Sequence, residues 1–222
     1  MNSITLLGIE TILCFAVMLV LYKKYKLEGI YAYSIIALIL SCLMSLKTIT
    51  IFEFDINLGI IPNVTVFIAS NILIQKKGIE EGKRFLLVVI FTAVISYLMM
   101  YLVSYMNASD INLFTSASYN NIFLGSERIY FSNIATMLYG LLLNNQLYHY
   151  LKKMQNNILI SSLFSTIIIQ FLTAVLFSLI TYIFAKEIID IIKIIMIRYL
   201  TSLIVGLLGT IVIYISKYIN EK

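Results

Sequence analysis

Ser70-Asn71-Ile72-Leu73-Ile74-Gln75-Lys76-Lys77-Gly78 is an apolar run carrying two amides that breaks abruptly into a basic turn. Asn71 and Gln75 are four residues apart, so on a helix both amides lie on one face, one turn above the other. Two hydrogen-bonding groups then point the same way out of an otherwise greasy rod. The Lys76-Lys77 pair marks which side of a membrane the turn faces, because lysine and arginine are in excess in cytoplasmic loops.

Working outward, the rest of the chain has the same character. Of its 222 residues 61% are hydrophobic and 12% charged, with one proline and a mean hydropathy of +0.96. Such usage belongs to membrane proteins and excludes a water-soluble fold. At roughly 20 apolar residues per spanning helix, the chain has room for about six or seven crossings and little else. The expected fold is all-α, a single transmembrane helical bundle over residues 1–222. The first apolar segment has neither a basic leader nor a small-residue cleavage site, so it reads as a retained helix.

Seven segments are long enough to cross: Ile4 to Tyr22, Ile30 to Ile51, Leu58 to Ile74, Phe85 to Met106, Ile129 to Leu151, Ile158 to Phe184 and Ile188 to Tyr214. The loops alternate in charge. Lys23, Lys24 and Lys26 fill the first, Lys76, Lys77, Lys83 and Arg84 the third, Lys152 and Lys153 the fifth, and Lys217 and Lys222 the tail. Glu53, Asp55, Asp110 and Glu127 mark the second and fourth, and Lys186, Glu187 and Asp190 the sixth. The positive-inside rule then places the N-terminus outside and the C-terminus in the cytoplasm, and the expected location is the plasma (inner) membrane. The longest connection, Asn107 to Glu127, either lies on the outer interface or caps a cavity. Its Asn107-Ala108-Ser109 sequon carries no weight at so short a length.

Ionisable groups inside a span are costly and face a cavity or a partner. Glu10, Lys47 and Arg198 all fall in the outer half of the expected bundle. A Glu10–Arg198 or Glu10–Lys47 pair either lines an outward vestibule or serves as a structural ion pair, and Lys47 alone could snorkel. Neutral polar groups are more numerous: Asn71 and Gln75, then Asn144, Asn145 and Gln146, then Ser165, Thr166, Gln170 and Thr173, then Thr201 and Ser202. Gln170 falls about 18 Å along a helix starting at Ile158, near mid-bilayer, and is the best single candidate for a ligand-facing group. The competing reading is that such amides and hydroxyls glue helices together. Tyr97, Tyr101 and Tyr105 follow one another at i+4 spacing, as an aromatic ladder, an interfacial belt or core packing.

Enzyme chemistry finds no motif. His149 is the sole histidine, read as interfacial, and no HExxH, GxSxG, GxGxxG or phosphate-binding loop is present. No metal site and no cofactor is expected. Cys14 and Cys42 read as buried free thiols. The net charge of +5 collects beside membrane ends, which excludes a nucleic-acid partner. The remaining class is a carrier with a polar interior, partnered by a small-molecule substrate and the lipid bilayer, with a homodimer as an open assembly state.

The order of short motifs resembles the VUT family. It runs through Tyr22, Leu27-Glu28-Gly29-Ile30-Tyr31-Ala32-Tyr33, Leu46-Lys47-Thr48, Leu58-Gly59 and Phe67 to Gly78. It continues through Arg128, Ser132, Ala135, Asn144 and Leu151, then Ser165-Thr166 with Gln170 and Phe177, and Leu207-Leu208-Gly209-Thr210 with Tyr214. The best-known members transport queuosine precursors, the 7-deazapurine bases, so the resemblance implies uptake of a small heterocyclic nutrient. Where the family has T-D-x-L-S-E, this chain has Ser70 to Gln75, so two acids have become Asn71 and Gln75. Other family acids are replaced by Asn144, Thr173 and Gly209, and family Asn and Gln positions by Cys42 and Met44. An amide cannot accept two parallel N–H bonds from a guanine-like edge as a carboxylate does. The expected substrate-binding set is therefore Asn71, Gln75, Asn144, Gln170, Thr173, Lys47 and Arg198, for a ligand other than a 7-deazaguanine. Two alternatives stand beside this one: a substrate-capture subunit of an ATP-driven vitamin importer, for which Ala37 to Ser41 weakly echoes a docking face, and a non-transporting scaffold or sensor.

Overall fold

In lipid every backbone amide must be satisfied within the protein, and a helix does this inside one segment. The computed structural model describes residues 3–51, 54–107, 113–124, 126–155 and 157–219. It comprises α1 (Ser3–Met44), β1 (Thr48–Ile51), β2 (Phe54–Asn57), α2 (Ile60–Lys77), α3 (Ile79–Ser104), α4 (Leu113–Phe123), α5 (Glu127–Gln155), α6 (Ile158–Tyr182) and α7 (Ile188–Ser216). The expected charges Glu53, Asp110 and Lys222 and the sequon residues Ala108 and Ser109 lie outside the described residues.

Four of the helices, α1, α3, α6 and α7, are long and apolar enough to cross a membrane. The helix α1 is not one rod. At Lys26 the backbone turns to φ 56°, ψ −136°. Gly29 then approaches Leu21 so closely that a Cβ would lie 2.6 Å from its carbonyl carbon. In a straight helix residues eight apart are about 12 Å apart, so the chain doubles back at Lys26 and α1 is a hairpin of two helices. Only glycine fits where the two halves touch. Cys14 and Tyr33, one from each half, also meet.

The second expected span, Ile30 to Ile51, is corrected at its end. Its helix stops at Met44, and Thr48-Ile49-Thr50-Ile51 pairs antiparallel with Phe54 to Asn57, Thr48 opposite Asn57. Alternating threonine and isoleucine suits a pleated ribbon better than a helix. The hairpin returns the chain into α2, where Ser41 Oγ donates to the Gly59 carbonyl at 2.8 Å and Tyr33 Oη to Thr65 Oγ1 at 2.7 Å.

Every residue of α2 from Ile60 to Ile74 is buried. A helix shielded on all sides is the pillar of a bundle. Its direction relative to α5 follows from two contacts. Asn144 Nδ2 donates to Asn71 Oδ1 at 2.8 Å, and one turn back on both helices Gly140 packs against Phe67. The two helices therefore run parallel in constant register. Gly206 against Thr166, and Thr210 against Ser162 at 3.2 Å, make α6 and α7 antiparallel. Asn157 caps α6, its side-chain oxygen accepting from the Leu159 and Ile160 amides.

One end of the bundle is basic. Lys76 Nζ donates to the Lys217 and Ile219 carbonyls at 3.4 and 3.0 Å, and Lys152 Nζ to the Gln75 carbonyl at 2.9 Å. Lys76 also lies 6.0 Å from the Tyr22 ring. The α1 reversal and the C-terminal ends of α2, α5 and α7 thus share a face, while the β-hairpin and the α6–α7 turn occupy the opposite one.

Candidate functional site

Two features of the interior stand apart from ordinary core. The first is a pocket of about 260 Å³ at the end opposite the lysines, bordered by Asp55, Asn57, Phe177, Tyr182, Lys186 and Arg198. The hairpin supplies Asp55 and Asn57, α6 supplies Phe177 and Tyr182, and α7 supplies Arg198. Arg198 is 7% exposed, its guanidinium carbon lies 3.6 Å from the centre of the Phe177 ring, and Nη1 has no hydrogen-bond partner.

The second feature lies deeper. Asn63 and Thr136 precede the bonded pair Asn71 and Asn144 by the same eight residues on their parallel helices, so they share a level two turns nearer the pocket. Asn63 Nδ2, Thr136 Oγ1 and both side-chain polar atoms of Asn133 are buried without a hydrogen-bond partner. Leaving a buried polar atom unpaired costs about 1–3 kcal/mol, so these groups work against the fold. Native cores hold few of them. Phe177, one turn beyond Thr173 on α6, borders the pocket, and Thr173 packs on Gly140 of α5.

The sequence-derived residues separate into groups. Asn71 and Asn144 are brought together, though Asn71 Nδ2 keeps no partner. Thr173 faces the same α2–α5–α6 junction, its hydroxyl donating to the Gln170 carbonyl at 3.1 Å. Gln170 is 3% exposed and, among the described residues, its side chain makes no hydrogen bond. Gln75 sits at the lysine end with Oε1 buried and unpaired. Lys47 is corrected in position: it lies on the exposed turn before β1, not within a helix, because the helix ends at Met44. Neither Glu10–Arg198 nor Glu10–Lys47 forms an ion pair. Glu10 Oε1 is buried without a partner, and Arg198 lies instead beside Phe177.

Other expectations also meet the geometry. Asn145 accepts from Ser70 Oγ at 2.6 Å and donates to the Gly82 carbonyl at 2.8 Å, tying α2 to α3 as interhelical glue. The tyrosine ladder packs on itself and its neighbours: Tyr97 stacks on Tyr130 at 4.6 Å and on Tyr101 at 5.8 Å. The short helix α4 closes this cluster through Phe123 against Tyr130 and through Tyr119 Oη on the Met100 carbonyl at 2.9 Å. Gly209 faces Ile68, and a Cβ would lie 2.7 Å from its Cδ1.

Sequence reasoning passed over Asn57, Asn63, Asn133, Thr136, Tyr182 and Lys186. A signal for two of them was present in the shared eight-residue spacing of Asn63–Asn71 and Thr136–Asn144. It becomes legible only once α2 and α5 are known to run in parallel register.

Among the described residues no three His, Cys, Asp or Glu side chains gather as a metal-binding group would require. No curated protein and no solved structure matches the chain. Residues 57–216 match the family described as "Putative vitamin uptake transporter", a match that begins at the end of β2 and leaves α1 outside. Because it covers well over half of the 222 residues, the chain belongs to this vitamin uptake transporter family of membrane proteins.

Proposed function

We propose that the protein imports a small heterocyclic nutrient across a bacterial plasma membrane. The observation that carries this reading is the band of unpaired polar atoms on Asn63, Asn133 and Thr136. Together with Asn71, Asn144, Gln170 and Thr173 it offers amide and hydroxyl partners to a solute inside an apolar shell. The two most polar of the long helices, α2 and α5, carry the band, and the four apolar helices include those that screen it from lipid. Seven crossings follow if the hairpin of α1 counts as two, with the N-terminus outside and the lysine end in the cytoplasm. A solute then enters through the Arg198 pocket, passes Phe177 and meets the band. Gln75 lies apart from that route, at the lysine end of the bundle, whereas Lys47 is exposed beside Thr48 at the pocket.

The substrate is read as a heterocycle other than a 7-deazaguanine, since the acids of the family pattern are amides or smaller groups here. Restoring the acid at Gly209 would meet Ile68. The alternative of a capture subunit in an ATP-driven importer has less support, because Ala37 and Ser41 are buried inside the bundle and not displayed for docking.

Uptake of a labelled heterocycle panel by proteoliposomes tests the proposal. Accumulation of at least one neutral or anionic ring compound above protein-free vesicles is expected, with 7-deazaguanine weak. Tight, pH-dependent binding of 7-deazaguanine would overturn the substrate assignment.

A further inference from the structure

We infer that the pocket beneath the β-hairpin is an anion site, and that the transported solute is a small ring compound bearing a carboxylate held by Arg198. The inference rests on the uptake reading and narrows its substrate class. A guanidinium carries five N–H donors and no acceptor, and it stays charged. Arg198 is 7% exposed, Nη1 is fully shielded, and among the described residues its side chain meets no carboxylate or carbonyl within hydrogen-bond distance. The Phe177 face at 3.6 Å stabilises the cation but accepts none of its hydrogen bonds.

The nearby charges leave that cation uncompensated. Asp55, on the hairpin, accepts from Thr50 Oγ1 at 2.8 Å and forms no ion pair with Arg198 or Lys186. Lys186 adds a second cation at the rim, where it lies 5.9 Å from the Tyr182 ring. Two cations face one acid in a pocket whose remaining walls include Ile60, Ile194 and the aromatic rings. A planar bidentate donor at the floor suits a carboxylate, and apolar walls suit the ring attached to it. The volume of about 260 Å³ lies just under the roughly 300–1,000 Å³ of drug-sized sites, which limits the ligand to one or two rings.

Nicotinate and its neutral counterpart nicotinamide are the probes, titrated calorimetrically into the full-length protein in phosphatidylcholine nanodiscs at physiological salt. Nicotinate is expected to bind at least tenfold more tightly than nicotinamide. R198Q is expected to weaken nicotinate about ten- to hundredfold and nicotinamide little, with R198K recovering part of the loss. K186Q, at an exposed position that the fold does not depend on, is expected to weaken nicotinate two- to fivefold. Should R198Q fail to fold, the wild-type ratio and K186Q decide. Equal affinity for the two probes, no nicotinate binding, or nicotinate affinity unchanged in R198Q would overturn the inference. Including phosphatidylglycerol should leave nicotinate affinity unchanged; an Arg198-dependent loss there would assign the cation to a lipid headgroup and overturn the solute reading. Uptake of labelled nicotinate by proteoliposomes separates the two claims. Arg198-dependent binding without uptake keeps the site and removes transport, whereas nicotinate uptake unaffected by R198Q keeps transport and removes the site.

Discussion

Asn71 and Asn144 show how one residue pair serves packing and leaves capacity over. Their single bond ties the pillar helix to α5, yet Asn71 Nδ2 remains unpaired in a buried position. Asn144→Leu strands the Asn71 amide altogether and should cost about 1–3 kcal/mol of stability, read as a lowered unfolding temperature in detergent. Adding Asn71→Leu removes the stranded group, so the double variant should lose less than the sum of the single ones. Additive losses would show that the two amides are not partners. The amides themselves were legible in the sequence as polar interruptions of apolar runs, but their pairing was not. Nothing in a linear spacing says that residues 73 positions apart share a level. Arg198 is similar: its burial was foreseeable from its place in an apolar run, whereas the choice of Phe177 over Glu10 as neighbour depends on how α1 folds back.

Two backbone positions govern the helical elements. Lys26 holds φ 56° at the reversal of α1, a conformation that disfavours a side chain. Lys26→Gly should relieve that strain and raise stability by roughly 1 kcal/mol, and a loss of stability would place the turn elsewhere. Gly78, between α2 and α3, holds φ 87° and ψ −177°, a region open essentially to glycine alone. Gly78→Ala should cost about 1–3 kcal/mol in the same unfolding measurement, although a Cβ there meets nothing within 4 Å. The element boundaries show what sequence reading can resolve. The basic loops around Lys23 to Lys26 and Lys76 to Lys77 announced the turns, because charge breaks an apolar run. The strand Thr48 to Ile51 was absorbed into a neighbouring apolar run, because its residues are hydrophobic enough to lengthen a helix and only their alternation and β-branching distinguish them. The connection that holds α4 is rich in Ser and Asn, yet its apolar Ile122-Phe123 pair marks where Phe123 packs on Tyr130.

At the scale of the molecule the buried helix α2 runs parallel to α5 among apolar helices, with basic charge in excess at one end. That asymmetry gives a topology that can be checked. In a background with Cys14 and Cys42 replaced, Lys186→Cys should react with an impermeant maleimide in intact cells, and Lys153→Cys only after permeabilisation. The reverse pattern would invert the bundle and the direction assigned to the pocket. If the unpaired groups of α2 and α5 serve the solute and not the fold, Thr136→Val separates the two roles. The substitution keeps the volume and removes a buried hydroxyl that has no protein partner. Unfolding temperature and uptake per molecule are measured together, using the heterocycle that wild-type proteoliposomes accumulate. Stability equal to or above wild type is expected, with uptake reduced about two- to tenfold, the worth of one hydrogen bond. Unchanged uptake, or lost stability with normal uptake, would rule out a solute-binding role for this hydroxyl.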